Sequence, residues 1–138
     1  MSDPLTIRFR VDFGSRCSVG IGKIQLLEAI DRSGSLSQAA RLLKMSYRRA
    51  WLLMADLNTS FDQPVVGTTT GGARGGGAVL TPLGSRLVAS YRKLESALQP
   101  LANRCFSDLR ERIAFGAAKR GLRPRSNKRR AASHAVDG

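Results

Sequence analysis

The sequence predicts a mainly α chain with a small β wing, followed by one long helix. Three observations predict it. Two short amphipathic helical patterns, ending near Leu43 and starting near Tyr47, are joined by only a few residues. A glycine run, GGARGGG, separates two short β-type pairs, Val65-Val66 and Val79-Leu80. Beyond it, Leu83, Leu87, Tyr91, Leu94, Leu98 and Leu101 recur at steps of three and four.

The elements follow in order. From Thr6 to Phe13 the residues alternate, with Ile7, Phe9, Val11 and Phe13 on one face, which predicts a half-buried strand. Gly14 to Gly22 reads as a loop. Lys23–Arg32 reads as a helix with Ile24, Leu27 and Ile30 inward, and Gly34 ends it. Ser35 and Gln38 have the spacing of a capping box at the start of the next helix. Leu36, Ala39, Ala40 and Leu43 form that helix's buried side, and the paired alanines let another helix come close. Lys44 and Met45 make a turn, and Ser46 caps a third helix running to about Asn58. Ala50, Leu53, Met54 and Leu57 share its inner face; Tyr47, Arg48, Arg49, Leu52, Ala55 and Asp56 lie nearer the other. Thr81-Pro82 is a strong start for the long helix, and Pro100 is expected to bend or break it.

Three regions result: residues 1–99 as a DNA-binding domain with the start of a dimer helix, 100–115 as its continuation after Pro100, and 116–138 as a disordered basic tail. The chain carries a net charge of +13 and a pI near 11.4. The tail holds seven Lys/Arg and one acid; the rest holds sixteen and nine, so the folded part is itself basic. Such an excess attracts polyanions, of which nucleic acid is the commonest.

Two short helices around a tight turn make a helix-turn-helix, and the hairpin after it makes it winged. In that motif the second helix lies in the major groove with its N-terminal residues toward base edges. This gives Ser46, Tyr47, Arg48 and Arg49 a reason to sit where they do. Arginine bidentate to guanine is the commonest specific base contact, though which arginine reads a base and which holds a phosphate stays open. Ser35, Ser37 and Gln38 are candidates for backbone contacts. Trp51 has two readings, packing beside the Ala50–Met54 seam or at a subunit contact, and lying against DNA backbone. The glycine run lacks the GK[ST] ending of a phosphate loop; a wing tip that brings Arg74 to a groove is the better reading.

The stripe of the long helix exceeds what one small domain covers. Leu87, Tyr91, Leu94, Leu98 and Leu101 are therefore expected to bury against a second copy at coiled-coil spacing. A homodimer would present two recognition helices about one DNA turn, ~34 Å, apart and so read a palindrome.

GSLSQAARLLKMSYRRAW followed by GGARGGGAVLTPLG resembles the N-terminal DNA-binding domain of the ModE family of molybdate-responsive regulators, relatives of the LysR-type winged helices. The resemblance covers about residues 5–100. It implies a dimeric, sequence-specific transcription factor contacting DNA through Ser46, Tyr47, Arg48, Arg49 and the wing around Arg74. Molybdate-sensing members carry C-terminal oxyanion-binding domains; with residues 116–138 basic and low in complexity, molybdate is not expected to bind this chain directly.

Other function classes fare worse. His134 is the single histidine, Cys17 and Cys105 have no metal-type spacing, and the ten acids are scattered, so no enzyme, metal or cofactor is expected. No apolar run approaches the ~20 residues of a membrane span, and the N-terminus has no signal-peptide pattern, which places the chain in the cytoplasm on the nucleoid. The competing reading is a non-specific nucleoid protein, or a winged helix that binds protein or RNA. In the tail, Arg123-Pro124-Arg125 is similar to a minor-groove hook broken by Leu122; Lys119, Arg120 and Lys128–Arg130 with it form either a phosphate anchor or a solvated tail.

Overall fold

A computed structural model of the chain describes residues 5–69 and 76–114. Arg74, the centre of the wing tip, and the basic tail lie outside the described residues. Leu5–Asn103 form one compact unit, and the chain from Arg104 onward belongs to a second, which contributes a short exposed helix, Ser107–Arg110.

The compact unit opens with β1 (Arg10–Phe13) paired antiparallel to β2 (Cys17–Gly20). Residues 14–22, expected to be loop, hold β2; CSVG is too short to show a period and is bracketed by glycines. The alternation from Thr6 onward survives in the burial pattern, with Ile7, Phe9 and Val11 half-buried and Thr6, Arg8, Arg10 and Asp12 exposed, although the ladder covers only its second half. Phe13 departs from it. Its ring is exposed at the hairpin end and stands edge-on to Phe61 at 6.1 Å.

Helix α1 (Ile21–Ser33) follows β2 directly. It contributes Ile24, Leu26, Leu27, Ala29 and Ile30 to the core. Gly34 ends it with φ 72°, a left-handed conformation that glycine adopts without steric cost. Its N–H bonds the Ile30 carbonyl at 2.8 Å. Helices α2 (Leu36–Leu42) and α3 (Tyr47–Ser60) complete the three-helix core. Ala39, Ala40 and Ala50, all buried, let the three helix axes approach closely. The turn between α2 and α3 places Lys44 at φ 56°. A left-handed non-glycine residue costs roughly 1–2 kcal/mol, which the surrounding hydrogen bonds hold in place: Lys44 N–H to Arg41 O and Met45 N–H to Ala40 O.

The wing is β3 (Val66–Thr69) paired antiparallel to β4 (Gly77–Leu80). Two contacts fix its base. The Ala78 N–H bonds the Gly34 carbonyl at 3.0 Å, tying β4 to the end of α1. The Asn58 side chain on α3 accepts from the Val65 and Val66 N–H groups, at 2.8 and 3.0 Å, and donates to the Val66 carbonyl at 3.1 Å.

Helix α4 (Pro82–Cys105) runs through Pro100 without a break. A proline removes one N–H bond of the ladder, and in a helix of six turns the remainder carries it. Thr81 caps the start, accepting from Gly84 N–H at 3.1 Å and donating to the Pro64 carbonyl at 2.7 Å. Arg92 on α4 makes a two-pronged pair with Glu28 on α1, at 2.7 and 2.9 Å, and a third bond to Glu95. The hydrogen bond from Arg92 holds the Glu28 carboxyl below the usual range, against the opposing effect of burial.

The ridge assigned to a partner divides on this fold. Tyr91 is turned inward and only 4% exposed. Its ring stacks on Phe9 at 4.4 Å and its hydroxyl donates to the Phe9 carbonyl at 2.9 Å. Gln99 donates to the Leu5 carbonyl, so residues 5–9 run along α4 and cover part of the stripe from within the same chain. Leu87 also packs against the domain core. Leu94 and Leu101 stay exposed, with Leu98 half-buried between them.

Two consequences are measurable. A Cβ on Gly84 would stand 2.1 Å from the Val65 carbonyl oxygen, a backbone atom with no room to yield. Gly84→Ala should therefore destabilise the domain by about 1–3 kcal/mol, read as a lower urea midpoint; an unchanged midpoint would mean α4 does not dock there. Because the Glu28 carboxyl titrates below its ordinary 4.5, its contribution is complete above that pH and is lost as pH falls through the depressed value. The pair is partly exposed and worth at most about 1 kcal/mol. Wild type should lose more stability than Arg92→Met, by at most that much, as pH falls from 6 to well below 4.5, in urea titrations; parallel losses would remove the pair from the acid response.

Candidate nucleic-acid interface

Helix α3 must be anchored on one side to present anything on the other. Ala50, Met54 and Leu57 supply the anchor, all buried. Ser46 sets where the helix begins: its hydroxyl accepts from the Arg49 N–H at 3.1 Å, while Ala50 N–H bonds the Ser46 carbonyl. Ser35 does the same for α2, accepting from Gln38 N–H at 3.2 Å. The capping box there is half-made, since the Ser35 N–H turns to the Ser33 hydroxyl at 3.4 Å instead of to the Gln38 side chain. Gln38 is thereby left exposed, beside Ser37, at the start of α2.

Tyr47, Arg48 and Arg49 all project from the first turn of α3 into solvent, Tyr47 with 56% of its surface open. The structure thus brings Ser46, Tyr47, Arg48 and Arg49 together at one helix end, where unpaired backbone N–H groups and the helix dipole favour an anion. Trp51, 47% exposed, lines one shallow recess with Tyr47, Arg48 and Leu52. Its ring belongs to the outer face and not to the Ala50–Met54 seam. Gln38 shares a second recess with Arg41 and Leu42. Arg74 lies outside the described residues, and the exposed threonines Thr68 and Thr69 lead toward it along β3.

The charge arrangement is sharper than composition indicates. From Arg32 to Ala55 there are five Lys/Arg and no Asp or Glu. Arg41, Lys44, Arg48 and Arg49, all exposed, make no ion pair with any described residue. Three cations elsewhere are paired: Arg10 with Asp12, Lys23 with Asp56, and Arg92 with Glu28 and Glu95. Arg41 and Lys44 were absent from the residues singled out by sequence, and the acid-free run is the signal that finds them. Lys23 is a second omission. From the start of α1 it reaches across to Asp56 at 2.6 Å and to the Ser18 carbonyl at 2.7 Å, neutralising the one carboxylate on the outer face of α3. A contact 33 positions away leaves no local pattern.

Comparison with known proteins bears on the domain as a whole. Residues 21–85 match the model of the bacterial regulatory helix-turn-helix proteins of the lysR family. The molybdenum transport protein ModE of Azotobacter vinelandii is 42% identical over 89 residues, covering 64% of this chain and 33% of that protein. The molybdenum-pterin-binding protein MopB of Rhodobacter capsulatus is 43% identical over 83 residues, 60% of this chain and 31% of its own. The DNA-binding transcriptional dual regulator ModE of Escherichia coli K12 is 42% identical over 77, 56% and 29%. This chain thus spans about a third of the length of these relatives. A solved MarR family transcription regulator, SP03579, superposes with a TM-score of 0.52 at 21% identity, over 87% of this chain and 76% of that one, a likeness of fold. Residues 21–85 are therefore similar to the lysR-type regulatory helix-turn-helix, and the N-terminal part of the chain to that of the ModE proteins.

Proposed function

We propose that this chain is a DNA-binding transcriptional regulator, acting as a homodimer on a palindromic operator. The observation that carries the reading is the outer face of α3 and the turn before it, where four unpaired cations surround a helix N-terminus whose opposite face is core. α3 enters the major groove. Tyr47, Arg48 and Arg49 lead; Ser35, Ser37, Gln38 and Ser46 hold the flanking phosphates, and Arg74 on the wing reaches the neighbouring groove. A folding role for the unpaired cations is hard to find, since like charges crowded on one surface repel each other. The relatives' printed roles include transcriptional regulation.

The dimer contact is Leu94, Leu98 and Leu101 on α4, with Leu87 and Tyr91 supporting them from the domain side. Leu94 borders an apolar groove formed with Val11, Phe13, Val19 and Leu87, which a facing helix would fill. Pairing removes that surface from water at about 25 cal/mol per Å². The relatives' names connect several of them with molybdenum; this chain is read as a DNA-binding component that does not itself take molybdate.

The high net charge favours one rival, a non-specific nucleoid binder. Duplexes selected from a random pool by the full chain separate the two. At about 200 mM salt, where phosphate contacts weaken steeply, the selected palindrome should bind far more tightly than its scrambled version, and equal affinities would reject the specific reading. Arg49→Ala and Tyr47→Ala should each weaken the selected site, by about 1–3 kcal/mol for a lost arginine–base contact, with unchanged circular dichroism. Full affinity in both variants would move the reading surface elsewhere. Leu94→Glu should sediment as a monomer where wild type is a dimer; an unaltered mass would remove α4 from the interface.

A further inference from the structure

The centre of the α3 reading face is apolar. Counting about 100° per residue, Leu52 falls nearly opposite the midpoint of the buried Ala50, Met54 and Leu57. Arg48 and Ala55 lie to one side of it, Arg49 and Asp56 to the other. Leu52 is 50% exposed, and the neighbouring side chains of its recess are Tyr47, Arg48 and Trp51. The residue set deepest into a groove is thus a leucine, and the cations stand around it.

An exposed leucine on a protein surface is ordinary and calls for no explanation. This one is different because of what it must face. In the major groove every base pair offers donors and acceptors, and the single apolar feature is the C5-methyl group of thymine. A leucine has no donor or acceptor. Pressed over a G·C pair, it would strip water from the guanine O6 and N7 and the cytosine amino group and return nothing, leaving them unsatisfied. Over thymine it exchanges two hydrated apolar surfaces for one contact. The carboxylate that would otherwise accept from a cytosine amino group, Asp56, is engaged by Lys23.

We infer that Leu52 is a specificity-determining residue that reads the C5-methyl of a thymine at the centre of each half-site, with Arg48 and Arg49 contacting the positions around it. The inference rests on α3 being the DNA-reading helix and adds the chemistry of the base it faces.

The test uses the full chain and the duplex it selects from a random pool. Each thymine of one half-site is replaced in turn by deoxyuridine, which removes only the methyl group. Wild type should lose about three- to tenfold in affinity at one central position, the scale of one or two buried methyl-sized groups. Leu52→Ala should bind the thymine duplex that much more weakly and be indifferent to uracil there. At the same position 5-methylcytosine paired with guanine should bind wild type better than cytosine does. Absence of a uracil-sensitive position, or a uracil penalty of the same size in Leu52→Ala, overturns the role of Leu52 while leaving the DNA-reading helix intact. Failure of the pool to enrich any sequence overturns both. Leu52→Met, which keeps the apolar volume, controls for folding: it should retain the uracil penalty, and its loss there would count against the contact.

Discussion

The geometry of this domain depends on one side chain, that of Asn58. A helix-turn-helix and its wing meet the same duplex, so their separation has to be fixed before DNA arrives. Asn58 sits in α3, on the outgoing end, and binds Val66, the first residue of the wing strand, and Val65 just before it by three hydrogen bonds. Val65 and Val66 are buried there, where water offers no substitute and an unmade bond costs about 1–3 kcal/mol. The Gly34–Ala78 bond braces the second wing strand against the end of α1. Between them the wing is held at both strands, and a tilt of α3 would have to break one set or the other.

Charge is organised around the same division. Folding a chain with a net charge of +13 is a self-repulsion problem. On the side where α1 meets α4 it is met by pairing: Arg92 takes two carboxylates, and the same contact joins the helices. Lys23 joins β2, α1 and α3 while cancelling Asp56. Acids are withheld from the segment between Arg32 and Ala55. The repulsion among Arg41, Lys44, Arg48 and Arg49 is left standing, with no carboxylate of a described residue paired to them. Lys44 adds a backbone cost, since its left-handed turn position favours glycine.

Much of the core and the order of the helices was legible in the sequence, because capping serines, the closing Gly34 and the 3.6-residue period are local signals. Ser35, Ser46 and Thr81 cap where their spacing predicts, and Ala39, Ala40 and Ala50 are the buried small residues. What was not legible is non-local. The β2 strand is defined by its partner and not by its four residues. The Lys23–Asp56 and Asn58–Val65 contacts join elements that no periodicity relates. The exposed set of α3 was visible as a face, yet its apolar centre carries meaning only once Leu52 is seen to stay half open to solvent among the described residues.

Helix α4 shows why a single stripe can mislead. Heptad spacing makes Leu87, Tyr91, Leu94, Leu98 and Leu101 one continuous seam in sequence, but a helix of six turns meets different neighbours along its length. Near Tyr91 it meets the residues before β1, where the Phe9 carbonyl accepts from the Tyr91 hydroxyl and the Phe9 ring supplies a stacking partner. Tyrosine suits that place better than leucine, because its hydroxyl satisfies the Phe9 carbonyl that would otherwise be buried alone. Leucine at 94 and 101 has no such polar handle and finds nothing apolar within its own unit large enough to cover it. Position and chemistry together divide the seam where spacing cannot: Leu87 beside the core and Tyr91 with its hydrogen-bonding end close the domain, while Leu94 and Leu101 face outward.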